Sequence, residues 1–175
     1  MRAEAEQQYG DYVAARASRL VRFAFLLCAD WHRAEDAVQS ALVKLYLAWP
    51  RLGRIETVDP YVRRIIVRVL LDHGRLARFR RELLRDRPPE PPPAADGSGA
   101  VDDRIALLAA LAALPARQRA AVVLRFWEDQ SVEQTAQTLG CSAGTVKSQT
   151  ARGLQTLRRL LADQYLLRTG GSDHD

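Results

Sequence analysis

Four side chains within six positions, Lys147, Ser148, Gln149 and Arg152, carry the chemistry of base and phosphate recognition. Arg and Lys pair with guanine or phosphate, Gln with adenine, and Ser with either. They lie in Ser131–Arg158, SVEQTAQTLGCSAGTVKSQTARGLQTLR, which reads as two short helices joined by a tight turn. That is a helix-turn-helix pattern, in which the second helix enters the major groove of duplex DNA. Ser131 is placed to cap the first helix, with Gln134 three residues on as in a capping box. Gly140 supplies the stop, and Ser142 caps the long second helix from Ala143 to about Leu161. Ala136 is small enough for a close crossing, while Val146 and Leu154 fall eight apart on the inner face.

Other reactive side chains form no comparable constellation. Asp72 with His73, or Glu35 with Asp36, could be read as a nuclease pair, but neither belongs to a two-carboxylate metal arrangement. The sequence has no Gly-rich phosphate loop and no nucleophile–base pattern, so no enzyme, cofactor or metal is expected. Cys28 and Cys141 stand alone, one in each half, and read as small buried hydrophobes. The polar N-terminus MRAEAEQQYGDY lacks the form of a signal peptide, and no apolar run reaches the ~20 residues a membrane span needs. A cytoplasmic chain without membrane insertion is the expectation.

The elements that position these groups are helical throughout. Hydrophobic residues make up 47% of the 175, aromatics only 7%, and Ala, Leu and Arg dominate, all good helix formers. Tyr12–Cys28 places Val13, Ala17, Leu20, Ala24 and Leu27 on one stripe. Asp30 starts a second helix that runs to Trp49 with Ala34, Ala37, Val38, Ala41, Leu42 and Leu45 inward. Pro50–Asp59 reads as a loop, and Pro60 suits the first turn of a third helix reaching about Leu84, with Ile65, Ile66, Val69 and Leu70 inward. Asp86–Ala100, DRPPEPPPAADGSGA, has five Pro and two Gly among fifteen residues and reads as a linker. Beyond it come Asp102–Leu114 and Ala116–Trp127, the latter with Val122, Val123, Phe126 and Trp127 as core candidates. The expected plan is all-α: a domain over 1–85, a linker over 86–101, a helix-turn-helix domain over 102–165, and a disordered tail over 166–175.

The net charge of +5 is unevenly placed. Residues 1–85 carry sixteen Lys/Arg against ten acids, and eight Arg fall within Arg63–Arg85. Such a cluster attracts phosphate backbones and acidic surfaces alike.

With both halves in view, the sequence closely resembles bacterial RNA polymerase sigma factors of the extracytoplasmic-function group, in the style of short actinobacterial members. LAALPARQRAAVVLRFWEDQSVEQTAQTLGCSAGTVKSQTARGLQTLR resembles their fourth-region domain; AEDAVQSALVKLYLAW and DPYVRRIIVRVLLDHGRLARFRRE resemble their second-region domain. The resemblance implies that the helix matching Ala34–Trp49 docks on the beta-prime clamp helices of core RNA polymerase through Glu35, Asp36, Gln39 and Lys44, with Ser40 where many members have Glu. The helix matching Pro60–Glu82 would recognise and open the −10 promoter element through Tyr61, Arg63, Arg64, Arg68, His73, Arg75, Arg78 and Phe79. Strand opening needs cations for phosphates and aromatic faces for unstacked bases. The loop matching Arg51–Asp59 would help hold a flipped base; Arg68 stands where many members have Asn, and Gly74 where many have a bulkier residue. In the second domain, Ser142, Thr145, Lys147, Ser148, Gln149 and Arg152 would read the −35 element, alongside a contact to the polymerase beta flap. An anti-sigma factor is a further partner the resemblance implies. A different class remains open at this stage: a free-standing helix-turn-helix regulator that binds operator DNA without polymerase.

Overall fold

The computed structural model describes residues 3–52, 55–84 and 99–169, with side chains over 3–52, 57–72 and 102–164. The described residues contain helices and no strand. In order they are α1 (Ala3–Cys28), α2 (Trp31–Leu52), α3 (Ile55–Leu84), α4 (Gly99–Ala113), α5 (Ala116–Val122) running into a π turn (Val123–Trp127), α6 (Val132–Leu139) and α7 (Ala143–Thr169).

Helices α1 to α3 form a three-helix core. On α2 the spacing of Ala34, Ala37, Val38, Ala41 and Leu45 puts all five on one buried stripe, and its three alanines let α1 and α3 approach closely. Phe23 and Ala24 of α1 and Val62, Ile66 and Val67 of α3 fill the remaining space. The start of α2 is capped as expected: Asp30 Oδ1 accepts from the Arg33 backbone N–H at 3.0 Å.

The structure corrects several sequence expectations. Helix α1 starts nine residues before Tyr12, and Tyr12, not Val13, takes the buried position. Pro50 and Pro60 do not bound a ten-residue loop: each lies inside a helix, and α2 and α3 nearly meet. Pro50 sits in the last turn of α2, where the missing N–H costs one bond at an end that frays anyway. Across the junction, Thr57 Oγ1 donates to the Leu52 carbonyl at 2.9 Å. Ile65 and Val69 are only partly buried, and Val58, Val62 and Val67 join Ile66 and Leu70 inside. Helix α4 takes in Gly99–Val101 from the expected linker, and α7 continues to Thr169, two turns past Leu161 and into the expected tail. Residues 86–98 and 170–175, the rest of those two segments, lie outside the described residues, as does Arg85 at the end of the expected first domain.

The second half packs α5 and α4 against α7. Ala110, Leu111, Leu114, Val122 and Leu157 form its buried cluster. The closest approach falls at Gly153 of α7, where an added Cβ would sit 2.7 Å from Val122 Cγ2 and 3.3 Å from the Gln118 carbonyl oxygen. Phe126 and Trp127 are not core residues. They are 60% and 54% exposed, because the π turn rotates the chain after Leu124 and leaves Val123 and Leu124 as the buried pair.

The two halves meet. Ala120, Val123 and Leu124 pack into the same core as α1, α2 and α3. Arg119 binds the ends of two helices at once, donating to Leu27 O of α1 at 3.1 Å and to Ala112 O and Leu114 O at the end of α4 at 2.5 and 3.0 Å. Carbonyls in a last helical turn lack intrahelical donors, and the negative end of the helix dipole favours a cation there. Burial lowers the Arg119 pKa, while its two terminal nitrogens are committed to these carbonyls and its buried Nε has no acceptor among the described residues.

The crowding at Gly153 gives a direct stability test. Gly153→Ala is expected to destabilise the protein by about 1–3 kcal/mol, as overpacking of a close contact does. Gly144→Ala, on the same helix with only Ser142 Oγ at 3.8 Å, is expected to be neutral or stabilising, by up to about 1 kcal/mol. Urea denaturation followed by circular dichroism measures both; equal midpoints for the two variants would contradict the close approach.

Candidate nucleic-acid interface

Three exposed faces are built by these helices, the first on α7. Its orientation is fixed by the short helix α6 and two caps. Ser131 Oγ accepts from Gln134 N at 3.1 Å and Gln134 Oε1 accepts from Ser131 N at 2.8 Å, a complete capping box. Gly140 ends α6 in the left-handed region at φ 63°, and both its N–H and that of Cys141 return to Ala136 O. Ser142 Oγ then accepts from Thr145 N at 3.1 Å and starts α7. Val146 is fully buried beneath this start, opposite fully buried Thr135. Thr135 therefore takes the interior position of α6 and Ala136 is only half-buried; the tight approach on α7 falls instead at Gly153, against Val122 and Gln118 of α5.

With Val146, Gly153 and Leu157 turned inward, Lys147, Ser148 and Arg152 are exposed and Thr145 and Gln149 are half-buried on the flanks. No described carboxylate pairs with Lys147 or Arg152. Ser142, also exposed, uses its hydroxyl in the cap and toward Thr145 Oγ1 at 2.9 Å, and Ser148 donates to Thr145 O at 3.0 Å. The same face continues through Ala151, Gln155, Arg158 and Arg159, all exposed. Sequence reading stopped short of Gln155, Arg158 and Arg159, although their spacing of three and four from Arg152 and Gln155 placed them there.

The second face belongs to α2. Glu35, Asp36, Gln39 and Lys44 are all exposed, opposite the alanine stripe. The centre of that face is not wholly polar: Val43 and Leu47 are 61% and 70% exposed and follow Asp36, Gln39 and Ser40 at helical spacing. Sequence reading missed this pair.

The third face is the start of α3. Arg64 and Arg68 are exposed, and Tyr61 is half-buried against the core. Arg63 is turned the other way. Its guanidinium lies 3.8 Å from Asp59 and 2.5 Å from Glu128 of the second half, which also meets Arg19 at 3.5 Å. Asp59 in turn accepts from Tyr12 Oη at 2.7 Å and faces Arg16 at 3.8 Å. Burial, then the bond to Asp59, raises the Tyr12 pKa, so the phenol stays a donor at all physiological pH. The side chains of His73, Arg75, Arg78 and Phe79 lie outside the described residues, though their backbone continues α3. Among the described residues there is no cluster of three metal-binding side chains, and no helix is long and apolar enough to cross a membrane.

Comparison with known proteins agrees with this layout. The family model for sigma-70 region 2 matches residues 12–80, and that for sigma-70 region 4 matches residues 104–157. The chain is 38% identical over 159 residues to the RNA polymerase sigma-E factor of Streptomyces coelicolor, covering 91% of this chain and 89% of that protein. It is 35% identical over 145 residues to the ECF RNA polymerase sigma factor SigM of Mycobacterium tuberculosis, covering 82% and 71%. Among solved structures, the sigma factor RpoE from Bartonella quintana, crystallised with the anti-sigma factor NepR, matches with a TM-score of 0.69 and 25% identity over 89% of this chain and 98% of that one. Two sigma-70 regions in order, on a helical frame that exposes a helix-turn-helix, place the chain in the extracytoplasmic-function group of the bacterial sigma-70 family.

Proposed function

We propose that this sigma factor binds core RNA polymerase through the exposed face of α2 and directs it to promoters, with α7 reading the −35 element and α3 the −10 element. The observation that carries the duplex-reading part is the start of α7, where Lys147, Ser148 and Arg152 face solvent without carboxylate partners above a fully buried Val146. Free cations and amide or hydroxyl groups on the N-terminal half of such a helix are what a major groove accepts.

On α2, the polar residues Glu35, Asp36, Gln39 and Lys44 surround two exposed aliphatics, Val43 and Leu47. An apolar centre with a charged rim is the anatomy of a protein-docking surface, and we assign it to the polymerase beta-prime clamp helices. The second half would meet the beta flap. On α3, exposed Arg64 and Arg68 supply cations for an opened strand. The reading gives the chain a cytoplasmic place beside polymerase and no bond-making step of its own. An anti-sigma partner belongs to it as well, supported by the likeness to a sigma factor solved with one.

Run-off transcription with core polymerase and a library of genomic promoters tests the whole reading. Tight operator binding without polymerase, and no promoter-directed transcript with it, would favour a free-standing regulator instead. Arg152→Ala and Lys147→Ala are expected to weaken −35-dependent transcription by about 1–3 kcal/mol each where they contact a base, with polymerase binding unchanged. Loss of polymerase binding in those variants would contradict the division of roles.

The α2 face gives a separate outcome. Leu47→Asp is expected to lower affinity for core polymerase by roughly tenfold or more, as loss of a ≥ 2 kcal/mol anchor does. The folded state should barely change, because Leu47 is already exposed. Fluorescence titration with core enzyme reads the first and thermal melting the second; unchanged core affinity would move the docking site off this face.

A further inference from the structure

The geometry points to an internal latch: Glu128, from the helix-turn-helix half, occupies the Arg63 guanidinium of α3 and so holds the two promoter-reading halves closed with part of the −10 surface covered. The inference rests on the assignment of α3 to strand contact, and it starts from a local backbone irregularity. Helix α5 widens into a π turn, in which Glu128 N donates to Val123 O at 3.2 Å. Asp129 follows at φ 50°, a left-handed conformation that side-chain-bearing residues adopt at some cost. Gln130 N returns to Leu124 O at 3.0 Å, and the Arg125 guanidinium donates to Gln130 O. Gln130 Oε1 accepts from Thr138 Oγ1 at 3.1 Å, which ties the reversal to α6.

This fixed turn aims the Glu128 side chain away from solvent. It is 1% exposed, and its carboxylate lies between Arg63 Nε at 2.5 Å and Arg19 Nη2 at 3.5 Å. A carboxylate so buried needs cations around it, and α1 and α3 of the other half provide both. In exchange, the Arg63 side chain is only 15% exposed, while its neighbours Arg64 and Arg68 stay in solvent. Glu128 Oε2 accepts no hydrogen bond from either arginine, so the contact is one of charge, and while the carboxylate fills the space beside Arg63 a phosphate cannot take the same place. Glu128 thus acts as an internal stand-in for the phosphate oxygen of a single strand.

Glu128 lies three residues before the Ser131 cap of α6, on a segment bonded at both ends. Its side chain is 1% exposed and both cations beside it belong to α1 and α3, so leaving Arg63 means leaving that half of the chain. Withdrawal therefore moves the helix-turn-helix half, and strand binding at Arg63 and closure of the two halves exclude each other. A ligand that binds only the open form pulls the equilibrium toward it, and its apparent affinity falls by the open fraction.

The test uses the full chain at fixed low salt, with small-angle X-ray scattering for closure and fluorescence anisotropy with a labelled single-stranded oligonucleotide for strand binding. Glu128→Gln keeps the shape and removes the charge. It is expected to raise the radius of gyration and tighten single-strand binding by roughly tenfold, the gain from freeing a form populated at about one part in ten. That gain should vanish in Glu128→Gln/Arg63→Gln. The swapped pair Glu128→Arg/Arg63→Glu should scatter like the unmodified chain and bind the strand no better than Arg63→Gln. If Glu128→Gln changes neither readout, or its gain survives without Arg63, the latch is wrong. Far-ultraviolet circular dichroism verifies that each variant folds, and the milder Arg19→Gln, on a half-exposed partner, should shift both readouts in the same direction by less. Absence of promoter-directed transcription by the unmodified chain would remove the proposed promoter-reading function without touching the closure measured by scattering, so the two failures are distinguishable.

Discussion

The change of helical register after Val122 governs both the interior and the surface of this molecule. A regular α-helix through Trp127 would repeat its buried face every three to four residues and carry Phe126 or Trp127 inward after Val122 and Val123. The π turn inserts extra backbone per turn, so Val123 and Leu124 stay in the core and the two aromatics swing to solvent. The same rotation delivers Glu128 to Arg63 and starts α6 at the angle that seats α7 over Thr135 and Val146. Ordinary helical geometry would have to give up at least one of these placements. Single π turns are often found at functional sites, and here the turn joins a reading element to the rest of the chain.

Arg119 adds a second coupling of a different kind. One guanidinium serves carbonyls at the ends of α1 and α4, helices that come from opposite halves of the sequence. Its planar fork can satisfy several acceptors in fixed directions, which a Lys ammonium on a flexible stem would not do. Beside it, α1 closes with Ala29 in the left-handed region at φ 55°, its N–H bonded to Phe25 O at 2.7 Å. Burial raises the Cys28 pKa, and the partly buried thiol next to this site donates to the Asp30 carbonyl at 3.2 Å rather than packing as a purely apolar group.

The sequence revealed what depends on near neighbours. The Ser131–Gln134 box, the Gly140 stop and the Ser142 cap were legible because each is decided within four residues by hydrogen-bond chemistry. The inward stripe of α2 was legible because Ala34, Ala37, Ala41 and Leu45 keep helical spacing over three turns. Pro50 misled because a proline in the last turn of a helix costs little, and Pro60, the sixth residue of α3, because burial of the flanking Val58 and Val62 outweighs the bond lost there. Phe126 and Trp127 misled because a π turn leaves no periodic trace in five residues. On the candidate faces, the exposure of Lys147 and Arg152 on α7 was legible from type and spacing. The exposure of Val43 and Leu47 was not, since apolar residues on a helix are read as core until the neighbours are known. That Arg63 faces Glu128 depends on a contact 65 residues away in sequence, which no local pattern encodes.

The contact between the halves combines two forces with different consequences. Ala120, Val123 and Leu124 supply burial, which grows with area and has little preference for orientation. Glu128 with Arg63 and Arg19 supplies direction, but a buried ion pair gives back much of its Coulomb energy in desolvation and often adds no net stability over apolar residues of equal size. A hydrophobic residue at position 128 would therefore close the halves at least as firmly. What it could not do is exchange partners, because nothing in a nucleic acid strand would compete with it for its place. A carboxylate held by arginines can be replaced by a phosphate held by the same arginines, at small net change in electrostatic energy, with the released carboxylate returned to water. A charged contact at this position thus makes the closed arrangement reversible by the kind of ligand that the open arrangement binds.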